Sequence, residues 1–222
     1  MTISHSSAAS LDPSETSKAS RVGLDAAQIA RVAVFAAFVA ALGLPGGFSV
    51  FSSVPITAQT LGVMLAGAVL GPWLGALAIT VLLALTAMGL PLLAGGRGGP
   101  GVFVGPSAGY LVGWVAGALV IGLIVHIGGR KPTWWRTFAG AVVGGILVVY
   151  AFGIPVQSLV TQISLGKTMS TSLVYLPGDL TKVVLTAAIT MTLVRGYPRA
   201  FRRTWTTPRS AESAPADVTS MP

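Results

Sequence analysis

The stretch PSAGYLVGWVAGALVIGLIVHIG, residues 106–128, contains no acid, lysine or arginine. At 1.5 Å of rise per residue it covers roughly 35 Å as a helix, enough to cross a bilayer's hydrocarbon core of about 30 Å. Working outward, five more apolar stretches repeat the pattern at about 26–45, 57–70, 73–93, 137–155 and 175–194. Glycine and proline punctuate them: Pro45-Gly46-Gly47, Gly71-Pro72, the run from Gly95 to Gly101, Gly105-Pro106 and Gly128-Gly129. The acids are Asp12, Glu15, Asp25, Asp179, Glu212 and Asp217, so residues 26–211 hold Asp179 as their sole acid. With 9% charged residues and a mean hydropathy of +0.78, that stretch cannot present a water-soluble surface, and lipid must be its solvent. The expectation is an all-α fold, a polytopic membrane bundle of six transmembrane helices. The second stretch is the weakest member, because a span needs roughly 20 apolar residues.

Residues 1–25 and about 204–222 are rich in Ser, Thr, Ala and Pro and read as disordered tails. The membrane domain is expected over 26–195, followed by a basic and then disordered tail over 196–222. The first 25 residues lack the cationic start and apolar core of a cleaved signal peptide, so the first apolar segment is expected to stay as a signal-anchor. With both termini cytoplasmic, Lys18, Arg21, Arg31, Arg130, Lys131, Arg136, Arg195, Arg199, Arg202, Arg203 and Arg209 fall inside. Arg97 and Lys167 fall outside and Lys182 lies within the sixth span, an asymmetry the positive-inside rule predicts for an even number of helices. The net charge of +8 is therefore a matter of topology rather than a nucleic-acid footprint.

Three groups of residues carry possible chemistry. In Leu176-Pro177-Gly178-Asp179-Leu180-Thr181-Lys182, proline suits a helix start, and Asp179 and Lys182 are i and i+3 neighbours on one face. Arg195 follows Asp179 by a rise of roughly 24 Å, which sets the pair in the outer part of the hydrocarbon, where charges face a cavity or a partner. A self-satisfying ion pair that pins helix packing is the plainer reading. In Ala94-Gly95-Gly96-Arg97-Gly98-Gly99-Pro100-Gly101, glycines allow close backbone approach, and Arg97 offers a donor fork matched to a carboxylate; a solvated loop arginine is the alternative. In Val54-Pro55-Ile56-Thr57-Ala58-Gln59, the polar groups of Thr57 and Gln59 need partners in apolar surroundings, and Thr57 serves either a ligand or as a helix cap. Tyr110, Tyr150 and Tyr175 could line a pocket or anchor at the membrane interface. On the first segment, Ala26, Ala30, Ala33, Ala37 and Ala41 recur mostly every four residues, a small-residue row that packs within the bundle or docks another subunit.

Several functions are excluded. The chain has no cysteine and two histidines, so neither a thiolate nucleophile nor a His/Cys metal site can be assembled, and His126 reads as a structural residue ending the fourth span. Leu165-Gly166-Lys167-Thr168 ends like a phosphate loop, but Thr161 stands where that motif's first glycine belongs. There is no second catalytic group beside Asp179, which argues against an intramembrane enzyme.

Taken in order, the motif Val54 to Val63, then Leu70-Gly71-Pro72, Gly89-Leu90-Pro91, Gly105-Pro106, Gly109-Tyr110-Leu111 and Pro177-Gly178-Asp179-Leu180 with Lys182 resembles the BioY family over roughly residues 28–195. These are the biotin-capturing S subunits of energy-coupling-factor transporters. The resemblance implies a cytoplasmic-membrane, six-helix subunit with an outward-facing biotin site and no cofactor. It implies Asp179 and Lys182 on the ligand head group and Arg97, less directly, on its carboxylate; Gln59, Thr57 and Tyr110 join them as ligand-binding candidates on the strength of their own side chains. It also implies docking, along Ala33, Ala37 and Ala41, to a transmembrane coupling subunit and through it to two cytoplasmic ATPases. Where some members make a polar contact near the third helix, this sequence has Thr86, Ala87 and Met88. The chemistry agrees: a ureido group offers donors to a carboxylate and an acceptor to an ammonium. An assembly protein with a purely structural Asp–Lys pair, or a subunit for another vitamin-like solute, are the competing readings.

Overall fold

The computed structural model of the chain describes residues 24–48, 56–129, 131–197 and 201. The tails expected to be disordered lie outside the described residues, apart from 24–25, 196–197 and 201. So do Val54, Pro55, Lys18, Arg21, Arg130, Arg199, Arg202, Arg203 and Arg209. The described fold is all-helical apart from one short ribbon. Its helices are α1 (Ala26–Ala41), α2 (Gln59–Leu70), α3 (Pro72–Ala87), α4 (Ala108–Val125), α5 (Trp134–Val142), α6 (Val149–Thr161), α7 (Leu165–Ser172) and α8 (Leu176–Gly196). A π-helical turn, Val143–Val148, joins α5 to α6 without a break, and a short 3₁₀ turn, Leu173–Tyr175, joins α7 to α8. Ala108–Gly129, Trp134–Thr161 and Leu165–Gly196 are long and apolar enough to cross a membrane; α1, α2 and α3 are apolar but shorter.

The structure differs from the sequence expectation at the element ends. The first segment stops at Ala41 and the third at Ala87; the loop beyond the third carries Leu93 and Arg97 to the pocket described below. The fifth runs past Pro155 to Thr161, since a proline within a packed membrane helix need not end it. The stretch expected as an outer loop before the sixth span is instead α7, whose Thr168, Thr171 and Ser172 hydroxyls bond back to its own carbonyls or to that of the preceding Ser164. Thr57 does not cap α2: it lies in a two-residue antiparallel ribbon, Gly47–Phe48 with Ile56–Thr57, and Ala58 holds the cap position.

The short second segment is the centre of the molecule. Ten of the 12 residues of α2 are buried, which removes its backbone from lipid and lets so short a helix persist. It reverses into α3 at Gly71, whose φ of 84° a side chain would strain, with Pro72 at the first helical position. Opposite it, α4 turns Gly109, Gly113 and Gly117 toward α6 and the π turn; a Cβ on Gly117 would lie 2.6 Å from the Gly144 carbonyl oxygen. This small-residue row brings two backbones into contact, the principal packing device when lipid offers no hydrophobic drive. The core runs from Val63, Ile79, Leu82, Leu111 and Trp114 around the pocket to Met64, Ile121, Val125 and Val183 further down. Phe201 is fully buried with Val32, Val69, Leu70 and Ala78 at the far end. Val34, Val112, Leu123, Leu147 and Leu159 are exposed, an apolar exterior suited to lipid rather than water.

At the far end, Arg136 donates to the Ile127 carbonyl at 2.8 Å and the Ile124 carbonyl at 3.4 Å, satisfying the C-terminal end of α4. His126 bonds the Ala68 carbonyl at 2.9 Å, in keeping with its structural reading.

Candidate functional site

The N-terminal ends of α2, α4 and α8 and the loop after α3 converge on a cavity of about 60 Å³. It is lined by Thr57, Gln59, Thr60, Arg97, Ser107, Tyr110, Trp114, Tyr175, Asp179 and Lys182, with Leu93 and Leu111. Of the residues singled out from the sequence, Thr57, Gln59, Arg97, Tyr110, Tyr175, Asp179 and Lys182 thus reach one place although they are far apart along the chain, and Tyr150 stays behind the wall.

Asp179 and Lys182 stand one turn apart at the start of α8. The Lys182 ammonium donates to Asp179 Oδ1 at 3.0 Å, and the two side chains are 14% (Lys182) and 10% (Asp179) exposed, so neither is sealed from the cavity. Each is gripped from a different helix. Tyr150 on α6 donates its hydroxyl to Asp179 Oδ2 at 2.7 Å, and Lys182 donates to Thr60 Oγ1 on α2 at 2.8 Å. A carboxylate beside a neutralising ammonium keeps unused lone pairs, and the ammonium keeps a third N–H. The pair therefore presents an acceptor and a donor side by side.

Arg97 sits at the rim. The loop returns on itself through paired backbone bonds between Leu93 and Arg97, and the guanidinium donates to the Ala94 carbonyl at 3.3 Å and to Ser107 Oγ at 3.4 Å. Both are long, which leaves the guanidinium available to a better acceptor.

The remaining candidates have other partners. Gln59 is fully buried, and its amide is engaged with backbone throughout: Nε2 donates to Val39 O at 3.3 Å and Leu92 O at 3.0 Å, and Oε1 accepts from Ala94 N–H at 3.0 Å. One side chain thus ties the end of α1 to the loop that carries Arg97. Tyr110 lends its ring to the wall, while its hydroxyl donates to Gln157 Oε1 at 2.8 Å. Thr57 borders the cavity from the ribbon. Thr86 is buried, bonded to the Leu82 carbonyl, and its own carbonyl accepts from Gly89 and Gly99, so it braces the loop rather than lining the site.

Sequence reasoning assigned no role to Thr60, Ser107 or Trp114. Trp114 follows Tyr110 by four residues and so shares its helix face, a signal that was there to read. Thr60 is one turn beyond Thr57, but only tertiary packing brings it to Lys182, 122 positions away.

Fold and site together define a multi-pass α-helical membrane protein with a polar pocket built into one end of its bundle. The family model that matches it, over residues 14–199, is described as the BioY family. Among similar proteins are the biotin transporter BioY of Rhodobacter capsulatus, 47% identical over 76% of this chain and 94% of the relative, and that of Rhizobium etli, 45% identical over 75% and 92%. The probable biotin transporter BioY of Bacillus subtilis is 45% identical over 74% of this chain and 88% of its own length. Among solved structures, the S-component for biotin from an ECF-type ABC transporter superposes with a TM-score of 0.73 at 33% identity, covering 79% of this chain and 96% of that one. The chain belongs to the BioY family.

Proposed function

We propose that this chain captures biotin at the outer face of the cytoplasmic membrane and serves biotin uptake as the substrate-specific subunit of an ECF-type transporter. It is a binding subunit, not an enzyme. The observation that carries the reading is the Asp179–Lys182 pair, held from two other helices, lining the same cavity as Arg97. The ureido N–H groups donate to Asp179 and its carbonyl accepts from Lys182, while the valerate carboxylate takes the Arg97 fork. The rings of Trp114, Tyr110 and Tyr175 receive the bicycle. A cavity of about 60 Å³ is smaller than a site for a guest of this size, so side chains of the wall shift to admit it, the Arg97 guanidinium first, because its two bonds are long.

The six helical rods span the membrane with both termini cytoplasmic. Support comes from Lys131, Arg136 and Arg195, which lie at the end opposite the pocket, where the positive-inside rule wants them. Ala33, Ala37 and Ala41 are exposed on α1, so their row is not consumed by packing within the bundle. It receives the transmembrane coupling subunit, which links the chain to two cytoplasmic ATPases.

A purely structural pair is favoured by one observation: Asp179 and Lys182 already satisfy each other, with Tyr150 and Thr60 completing the set. The test of the proposed function is accumulation of radiolabelled biotin by a biotin-auxotrophic bacterium lacking its own uptake system. Expression of this chain with coupling and ATPase subunits restores accumulation, and Asp179→Asn lowers it at limiting biotin. Failure of the wild-type chain to restore it would refute the reading.

A further inference from the structure

The contact between Tyr150 and Asp179 joins two rods that no local spacing brings together, and the geometry around it is specific. Tyr150 is the second residue after the π-helical turn Val143–Val148. A π turn widens the helix by a residue and rotates everything that follows it, and such turns cluster at functional sites. This one rests on close packing: a Cβ at Gly144 would lie 2.6 Å from the Gly117 carbonyl oxygen, and one at Gly145 would meet the Met64 side chain. The rotation is therefore fixed by α4 on one side and α2 on the other. It brings the Tyr150 hydroxyl 2.7 Å from Asp179 Oδ2, a separation that fits a charge-assisted O–H···O⁻ bond. The ring is braced edge-on by Tyr110, with centroids 6.3 Å apart at 80°. Tyr150 itself is not among the residues that line the cavity.

We propose that Tyr150 is a positioning residue for ligand recognition, aimed by the π turn so that it holds one oxygen of Asp179 and leaves the carboxylate facing the cavity in a single orientation. This deepens the biotin reading and rests on it. With Oδ2 held by Tyr150 and Oδ1 by Lys182, the carboxylate has no freedom to rotate, and its remaining lone pairs are aligned before the guest arrives. Without the hydroxyl, Asp179 keeps its charge and its lysine but can turn about its terminal bond, and a ligand must order it on binding.

The test pairs binding with a ligand-independent readout on the full chain in detergent. Tyr150→Phe weakens biotin binding roughly tenfold or more, by the scale of a lost bond to a charged group. Genetic incorporation of p-aminophenylalanine at position 150, which restores a donor, recovers most of that loss. In the ligand-free protein, the infrared carboxylate band assigned by difference with Asp179→Asn shifts in Tyr150→Phe and returns with the amino variant. Unchanged or tighter biotin binding in Tyr150→Phe, or loss without rescue by the amino variant, overturns the proposal. An unmoved infrared band overturns it whether or not biotin binds. Failure of the wild-type protein to bind biotin at all, with the band shifting as expected, instead sinks the ligand assignment and with it the recognition role, while leaving the Tyr150–Asp179 bond established.

Discussion

Replacing Asp179 with asparagine keeps the side-chain volume and removes the charge. The new amide oxygen can still accept from Tyr150 or from Lys182, but not as an anion, and the amide nitrogen brings donors to a place where the ligand also brings donors. A hydrogen bond to a charged group is worth roughly 1.5–3 kcal/mol, so biotin affinity should fall by about 10- to 150-fold at 1.4 kcal/mol per decade. The variant also leaves the Lys182 ammonium, only 14% exposed, with neutral acceptors in place of the Asp179 carboxylate, so a lower melting temperature is expected as well. That second effect is why the double variant Asp179→Leu/Lys182→Met is informative. Replacing a low-exposure ion pair with apolar residues of similar volume is often neutral or stabilising by about 1–4 kcal/mol, so the double variant should recover stability and still fail to bind. Isothermal titration alongside thermal unfolding reads both quantities. Undiminished biotin affinity in Asp179→Asn would refute the ligand role of the pair and leave it a packing element.

Three further outcomes are expected. Arg97→Ala should erase the preference of the protein for biotin over biotin amide, measured as the ratio of their dissociation constants; an unchanged ratio would make Arg97 a topology charge. Ala33→Leu with Ala37→Leu should abolish co-purification of the coupling subunit while sparing biotin binding, because bulky side chains hold helix axes apart. Gln59→Ala removes three bonds to backbone at once and leaves the Leu92 carbonyl and Ala94 N–H without that partner. It should lower unfolding stability by about 1–3 kcal/mol and quicken hydrogen exchange at Ala94, and a variant with unaltered exchange there would count against the latch.

How far the sequence could be read depended on the range of the interaction. The apolar runs were plain, since lipid demands them, and so was the i, i+3 spacing of Asp179 and Lys182. Arg97 was conspicuous as an isolated charge among glycines. What stayed hidden was decided by packing between distant elements. The Gln59 amide looked as suited to a ligand as to backbone, and only the approach of Val39, Leu92 and Ala94 reveals the backbone groups it ties together at the edge of the cavity. Tyr150 was one of three equivalent tyrosines until the π turn, invisible in a run of valines and glycines, turned it toward Asp179. The segment that forms α7 reads as loop because its sequence, LGKTMSTS, is polar; its hydroxyls are satisfied by nearby carbonyls, which a hydropathy pattern does not register.

The proposed biotin site is the cavity walled by Asp179, Lys182 and Arg97. Equilibrium binding of radiolabelled biotin to the purified chain alone, in detergent, addresses it most directly. Saturable binding is expected with one biotin per chain, displaced by unlabelled biotin and lost when Asp179 and Lys182 are both replaced by apolar residues. Binding that survives that replacement in a folded protein, or no binding by the wild-type chain, would contradict it.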